Sequence, residues 1–464
     1  MVVSKKTVAK VAAGLGLALS LALSPVSQTK AQQGITWTTG FQVQNLGTTA
    51  ANVTIDLYNR DGTSGGAQIA DSILTSKTYF PIPNAAAGFQ GSAVVSADQP
   101  VAAILNILGT ATDKSYYSEA VTGVSQGSTT VSLPLILRGN SGFNTWFAVQ
   151  NAGTTAASVT VTFKAGLAGS NYTAPAVIIE PGASYVFDQR DDANASNLGA
   201  KFIGSATVTS AQPLAVVVNQ IGTGASKTQL SYSGFASGSP SVVLPLVQQS
   251  NGGFFSGISI QNVSATTTAT VTLTYGANTV GTGAAPANQT ATLVPGASTS
   301  YIVGDPTRYV GSAVVTTGAA DQQVVVVVNQ LSNTGKGTAY EGIASSTATS
   351  KVSLPLLMEK NAGFFTAVQC RNVSEQAATL TLTYTPNTIT GSTLTPAPVV
   401  SQNVPAGGSV TWFQNTAGQR YVGGGTVTGA TASQAASPVV CIVNQVNDGQ
   451  IAGDAFLTYD GINY

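Results

Sequence analysis

Cys370 and Cys441 are the two thiol-bearing residues of this 464-residue chain, and they stand 71 positions apart. That is no metal-ligand spacing; the chemistry it leaves open is a disulfide. The chain has no histidine. Ser–His–Asp and Cys–His catalysis are thereby excluded, as are His-containing zinc sites, and the commonest general base and pH switch is missing. None of the 50 glycines belongs to a phosphate-binding loop ending in Lys-Ser or Lys-Thr. Carboxylate chemistry remains. Glycoside hydrolysis needs a facing acidic pair, and the densest acidic group is Asp188, Asp191 and Asp192 in "DQRDDANAS". Oxygen ligands of that kind suit calcium. However, Arg190 lies inside the group, and the matching stretches elsewhere read "GDPTR", "QNTAGQR" and "NAAAG". A solvated loop is expected there, with no metal, no cofactor and no catalytic residue.

The elements that carry these residues recur four times. An apolar stretch ending in Asn reads "FQVQN", "FAVQN", "ISIQN" and "VQCRN", ending at Asn45, Asn151, Asn262 and Asn372. Those residues are 106, 111 and 110 positions apart. A second marker ends at Asn106, Asn219, Asn329 and Asn444. Between them Gly91, Gly204, Gly311 or Gly423 follows an aromatic by two positions. A period near 110 is too long for a solenoid turn and suits a whole domain. The expected division is 1–31 as a leader, then units at 32–126, 127–238, 239–348 and 349–464.

Within each unit the apolar period is two. Val159, Val161 and Phe163 alternate with Ser or Thr in "SVTVTF", and Leu380, Leu382 and Tyr384 do so in "TLTLTY". Val, Thr, Ile and Tyr favour strands, and Gly, Asn, Ser and Pro divide the segments into about seven per unit. The predicted fold is all-β, four tandem immunoglobulin-like β-sandwiches. In the second unit the strands are A "VSLPLIL", B "WFAVQN", C "SVTVTF", D near "AVIIEPGASYVF", E "GSATVTS", F "LAVVVNQ" and G "QLSYSGF". Pro134, Pro245 and Pro355 recur in strand A, which places that strand at a sheet edge. Short links between units predict a semi-rigid rod.

This lettering gives the candidate residues their places. Cys370 lies in strand B and Cys441 in strand F of the fourth unit, where the other units hold Val43 and Ala103, Val149 and Val216, Ile260 and Val326. An apolar pair exchanged for two cysteines is what a cross-sheet B–F disulfide would look like. The strand-B asparagines precede turns, where an Asn side chain bonds nearby backbone, so their expected role is structural. Trp37, Phe143, Phe254 and Phe364 each lie eight residues before the strand-B Asn. They are expected to plug one end of each sandwich, with an exposed sugar-stacking ladder as the alternative.

The first 31 residues read as a secretory leader: Lys5, Lys6 and Lys10, an apolar run from Val11 to Leu23, and small residues closing at Ala31. The run is too short for a spanning helix, and no later stretch could span a membrane. Without the leader's four lysines, the 18 basic and 18 acidic residues leave a net charge of about −4. That is no footprint for nucleic acid or an anionic membrane. Charged residues are 8% of the chain and apolar ones 43%, so the surface must be neutral and polar while a core remains affordable. Low charge permits self-association. Export also supplies the oxidising setting that a disulfide needs. Strand A of the first unit would fall at Gln28, inside the leader, so the mature first unit is expected to lack it.

The run "NLGTTAANVTIDLYNRDG" resembles the immunoglobulin-like (CARDB-like) domains of bacterial secreted and cell-surface proteins, as do the "PGAS" turns at Pro181–Ser184 and Pro295–Ser298. The fourth unit departs with "PAGGS" and the first with "PNAAAG". The resemblance implies an extracellular scaffold or adhesion module and brings no catalytic residues. The expectation is a secreted, non-enzymatic structural or adhesive protein whose partners are other copies of itself or cell-surface polymers. The alternative is a carbohydrate-binding protein that uses the exposed aromatics.

Overall fold

A computed structural model describes residues 17–21, as backbone, and 35–464, apart from 88, 90, 114, 125, 191–193, 223–226, 281–282, 304–306, 386–398, 415–419, 434, 448 and 450–451. All strand pairing between named strands is antiparallel, and each unit stacks two sheets. The third unit shows the plan. Strand C (Ala269–Tyr275) and strand E (Tyr309–Thr317) lie together, flanked by Gln289–Leu293 and by strand A (Ser241–Gln249). Over them lies a sheet of strand B (Phe254–Asn262) and strand F (Val324–Ser332), flanked by Ser298–Val303 and by strand G (Gly337–Glu341). The expected single strand D is thus two short strands, one per sheet, broken at the Pro-Gly turn where Gly296 has φ of 77°. In the second unit E and F are one strand, Phe202–Gly222, that passes from one sheet to the other.

The period-two pattern does the sorting. In the second unit's strand C, Ala157–Ala168, residues Val159, Val161 and Phe163 are buried while Ser158 is exposed. Each unit closes its own apolar core, and Phe147, Val149, Val216 and Val218 face Val159 and Val208 in the second. Gly204 is needed because a Cβ there would lie 2.2 Å from the backbone oxygen of Lys164 on the neighbouring strand. Gly91 meets Tyr58 in the same way.

Strand A is nearly, but not quite, an edge. Beyond it lies only a two-residue strand, Ile343–Ala344 in the third unit and Ile462–Asn463 in the fourth. At each proline the A–E register slips, between Leu244 and Val247 or Leu354 and Leu357. A strand-G tyrosine closes that bulge. Tyr232 Oη donates to Leu135 O at 2.8 Å, and Tyr340 and Tyr459 do the same to Leu246 O and Leu356 O. In the first unit the strand-A place is taken by Leu17–Leu21, paired with Gly91–Ala97 from Leu17↔Val95 to Leu21↔Gly91. The segment read as leader therefore fills the slot in the full chain. Ile35–Trp37 belongs to strand B, which runs Ile35–Asn45 in this unit. The first unit's strand G (Tyr116–Thr122) places Val121 where the others have the tyrosine, opposite Leu105.

The units do not form the expected rod. Strands G of successive units pack side by side, and strand G of the fourth (Phe456–Asp460) returns to that of the first, so the chain closes into a cycle of four. Short links allow this because large polar and apolar faces, not the links, set the angle between units.

Candidate functional site

The residue before each strand-B asparagine reaches the preceding unit. Gln150 donates to Ser92 Oγ at 2.6 Å, Gln261 to Ala206 O at 3.3 Å, and Arg371 to Ser312 Oγ at 3.0 Å. Gln44 closes the cycle by accepting from Ser353 Oγ at 2.6 Å. The second set of marker asparagines forms another ring of contacts. Gln220 and Asn329 exchange hydrogen bonds of 3.0 and 2.7 Å, and Gln445 and Asn106 exchange longer ones.

At the centre, all four units meet on Asp454. Its carboxylate accepts from the backbone N–H of Gln229 and of Gly337, each at 3.1 Å. Its own N–H donates to Tyr116 O at 2.8 Å, and its carbonyl accepts from Ser118 Oγ at 2.6 Å. Glu119, fully buried, accepts from Thr338 Oγ1 at 2.8 Å. Burial pushes the carboxyls of Glu119 and Asp454 well above the ordinary range. Burial, then the neighbouring Glu341, does the same to Asp460. Sequence reasoning missed this centre, because no motif marks residues whose only shared property is facing one axis.

The sequence-derived residues fall as follows. Cys370 and Cys441 form a disulfide with Cα atoms 4.1 Å apart. They are directly paired on strands B and F of one sheet, so the bond is cross-strand and not cross-sheet. Strands B and F are neighbours here, and the short separation is that of a non-hydrogen-bonded antiparallel pair. Asn151 Nδ2 donates to Thr155 O and Ile179 O, both at 2.8 Å, while its Oδ1 accepts from Gly153 N. Asn45, Asn262 and Asn372 make the same three links, tying the B–C turn to the first half of D.

The four aromatics are half-buried, and Trp37, Phe143 and Phe364 pack against the cores of their own units, the first, second and fourth. Trp37 meets Tyr117 at 6.3 Å in a cluster that also holds Trp146 of the second unit. Phe143 packs on the second unit's core, against which Leu331 of the third unit also packs. Phe254 meets Phe456 of the fourth unit edge-on at 5.1 Å. Phe364 lines a groove of about 400 Å³ against Phe80 and Gln42 of the first unit. A groove of about 520 Å³ occupies the matching place between the third and fourth units.

Asp188 is paired with Arg190 at 2.5 Å; Asp191 and Asp192 lie outside the described residues. Among the described residues no group of three acidic or cysteine side chains could hold a metal ion, and no helix is long and apolar enough to cross a membrane.

No family model matches the chain, and comparison with curated proteins finds no match. One solved structure, a tetra-tandem repeat in the extending region of a large adhesion protein, aligns with 96% of this chain and 99% of its own. The identity is 12% and the TM-score 0.10, a likeness too slight to carry an argument about fold or function.

Proposed function

We propose that this is a secreted, non-enzymatic structural or adhesive protein of a bacterial surface, extracellular layer or matrix, working as a compact four-unit block. The observation that supports this reading is the use of the repeated polar residues. Gln150, Gln261, Arg371 and Gln44 bind unit to unit, as do Gln220, Gln330 and Gln445. Repetition here builds a closed object with several similar outward faces, which suits a polymeric or self-associating partner through multivalency. The leader pattern, the disulfide and the neutral surface agree with an extracellular setting. The CARDB-like resemblance belongs to this proposal.

Fractionation of the native source, followed by electron microscopy of the exported material, tests it. The expected result is a chain lacking its first 31 residues, with no free thiol, in an external layer or matrix. A cytoplasmic chain with its N-terminus intact would sink the proposal.

A further inference from the structure

The groove between the third and fourth units carries unsatisfied chemistry. Its walls include Phe254 and Phe456 of the edge-on pair and Phe413, which is 59% exposed. Its floor includes Gln369, 2% exposed, whose Nε2 has no hydrogen-bond partner, and Ser409, whose Oγ has none either. The other end of the Gln369 amide is engaged, since Thr411 Oγ1 donates to its Oε1. A buried donor without an acceptor loses its hydration and gains nothing in return, so this arrangement favours a ligand that supplies an acceptor.

The matching places at two other seams are already satisfied or filled. Gln42, the counterpart of Gln369 in the first unit, donates to Pro355 O at 2.5 Å. Where the second unit meets the first, Trp146, only 4% exposed, packs into the apolar cluster with Tyr117.

We propose that the groove between the third and fourth units binds a segment of neutral oligosaccharide. A pyranose ring offers hydroxyl edges and an apolar C–H face. Hydroxyl oxygens serve both Gln369 Nε2 and Ser409 Oγ, and the C–H face stacks on Phe413 and Phe254. Arg308, the charged side chain in the lining, donates to Asn251 Oδ1 at 2.9 and 3.1 Å, whereas the two groups left without partners, an amide and a hydroxyl, are neutral and match hydroxyl oxygens. A purely apolar ligand would leave both buried polar groups unsatisfied. The volume of about 520 Å³ lies within the usual range for small-ligand sites. This assignment goes beyond the structural role proposed above and does not depend on it.

The test is isothermal titration of the intact chain with cellohexaose, xylohexaose, maltohexaose and chitohexaose. At least one should bind. Phe413→Ala, at an exposed position, should weaken that binding about 10-fold or more, an effect of about 1.4 kcal/mol. Phe80→Ala, in the groove between the fourth and first units, should leave it unchanged. Gln369→Leu, checked for an unaltered melting temperature, should weaken it as well. No heat with any of the four sugars at about 10 mM, well above the ~1 mM expected of a weak site, overturns the assignment. Binding that survives Phe413→Ala overturns it too. So does a neutral Ser/Thr-rich decapeptide that binds while the sugars do not, since that outcome marks a strand-addition surface.

Discussion

Gln330 and Asn444 exchange two hydrogen bonds of 3.1 Å each across the seam between the third and fourth units. The same exchange joins Gln220 to Asn329 and Gln445 to Asn106. At the remaining seam Ile107 takes the glutamine's place in the sequence, and Asn219 Nδ2 is left buried without a partner. Three amide exchanges and one gap describe how the cycle is held.

Replacing Gln330 with Leu should therefore destabilise the whole chain, by about 1–3 kcal/mol, because Asn444 would lose its partner in a buried seam. Gln445→Leu should cost less, since its bonds to Asn106 are 3.3 and 3.5 Å and less buried. Urea denaturation measures both. Equal costs, or no cost for Gln330→Leu, would remove the amide ring from the account of stability.

The strand-G tyrosines make a second comparison. Tyr232→Phe, Tyr340→Phe or Tyr459→Phe removes the hydroxyl that donates to Leu135 O, Leu246 O or Leu356 O at the strand-A bulge. Each should lower stability by about 1–2 kcal/mol, because the carbonyl is buried and loses its donor. Val121→Tyr in the first unit should bring no matching gain, since no prolyl bulge lies opposite. Thermal melts of the four variants decide it.

The buried carboxyls predict a direction for pH. Burial raises Glu119 and Asp454, with Lys336 and the N–H groups of Gln229 and Gly337 opposing the shift at Asp454. Asp454 adds to the shift at Glu119 while Thr338 opposes it, and Glu341 adds to the shift at Asp460. The folded chain thus holds these protons more tightly than the unfolded chain does. Their stabilising contribution is complete below the unfolded carboxylate range near pH 4, and it is lost as pH rises through the raised folded values. The melting temperature should fall from mildly acidic towards alkaline pH, and Glu119→Gln with Asp460→Asn should flatten that slope. A melting temperature that climbs over the same interval would contradict the prediction.

Reducing the Cys370–Cys441 bond, or replacing both residues with Ser, should destabilise the fourth unit by roughly 4 kcal/mol in the chain-entropy model for a loop of that length. Double replacement with Val, as in the second unit's Val149 and Val216, should recover part of the packing but not the loop constraint. Calorimetry with and without reductant measures both.

The first unit gives the last prediction. A chain beginning at Gln32 lacks Leu17–Leu21, so the free side of strand E (Gly91–Ala97) loses its partner. Hydrogen exchange there should be faster than along the matching part of Phe202–Gly222, which keeps Ser128–Arg138 beside it. An exposed edge is a template for another strand. Fusing "VSLPLIL" ahead of Gln32 should restore protection and reduce any self-association seen by light scattering. Equal exchange in the two chains would mean the slot is not open.

The sequence by itself determined the period, the strand class, the pairing of Cys370 with Cys441 and the place of the strand-B asparagines. These depend on local rules: alternation sorts a strand's faces, and an Asn before a turn bonds its own neighbourhood. Only the tertiary structure decided that strands B and F share a sheet, which turned the expected cross-sheet disulfide into a cross-strand one. It also decided that the units close into a cycle and not a rod. Asp454, Gln229, Gly337 and Ser118 come from four units separated by more than 100 residues between the nearest pair. Ser118, Gln229 and Gly337 are ordinary strand residues, and Asp454 lies two residues before a strand. Their meeting depends on the angle between whole sandwiches, a property of packed faces that no local spacing records.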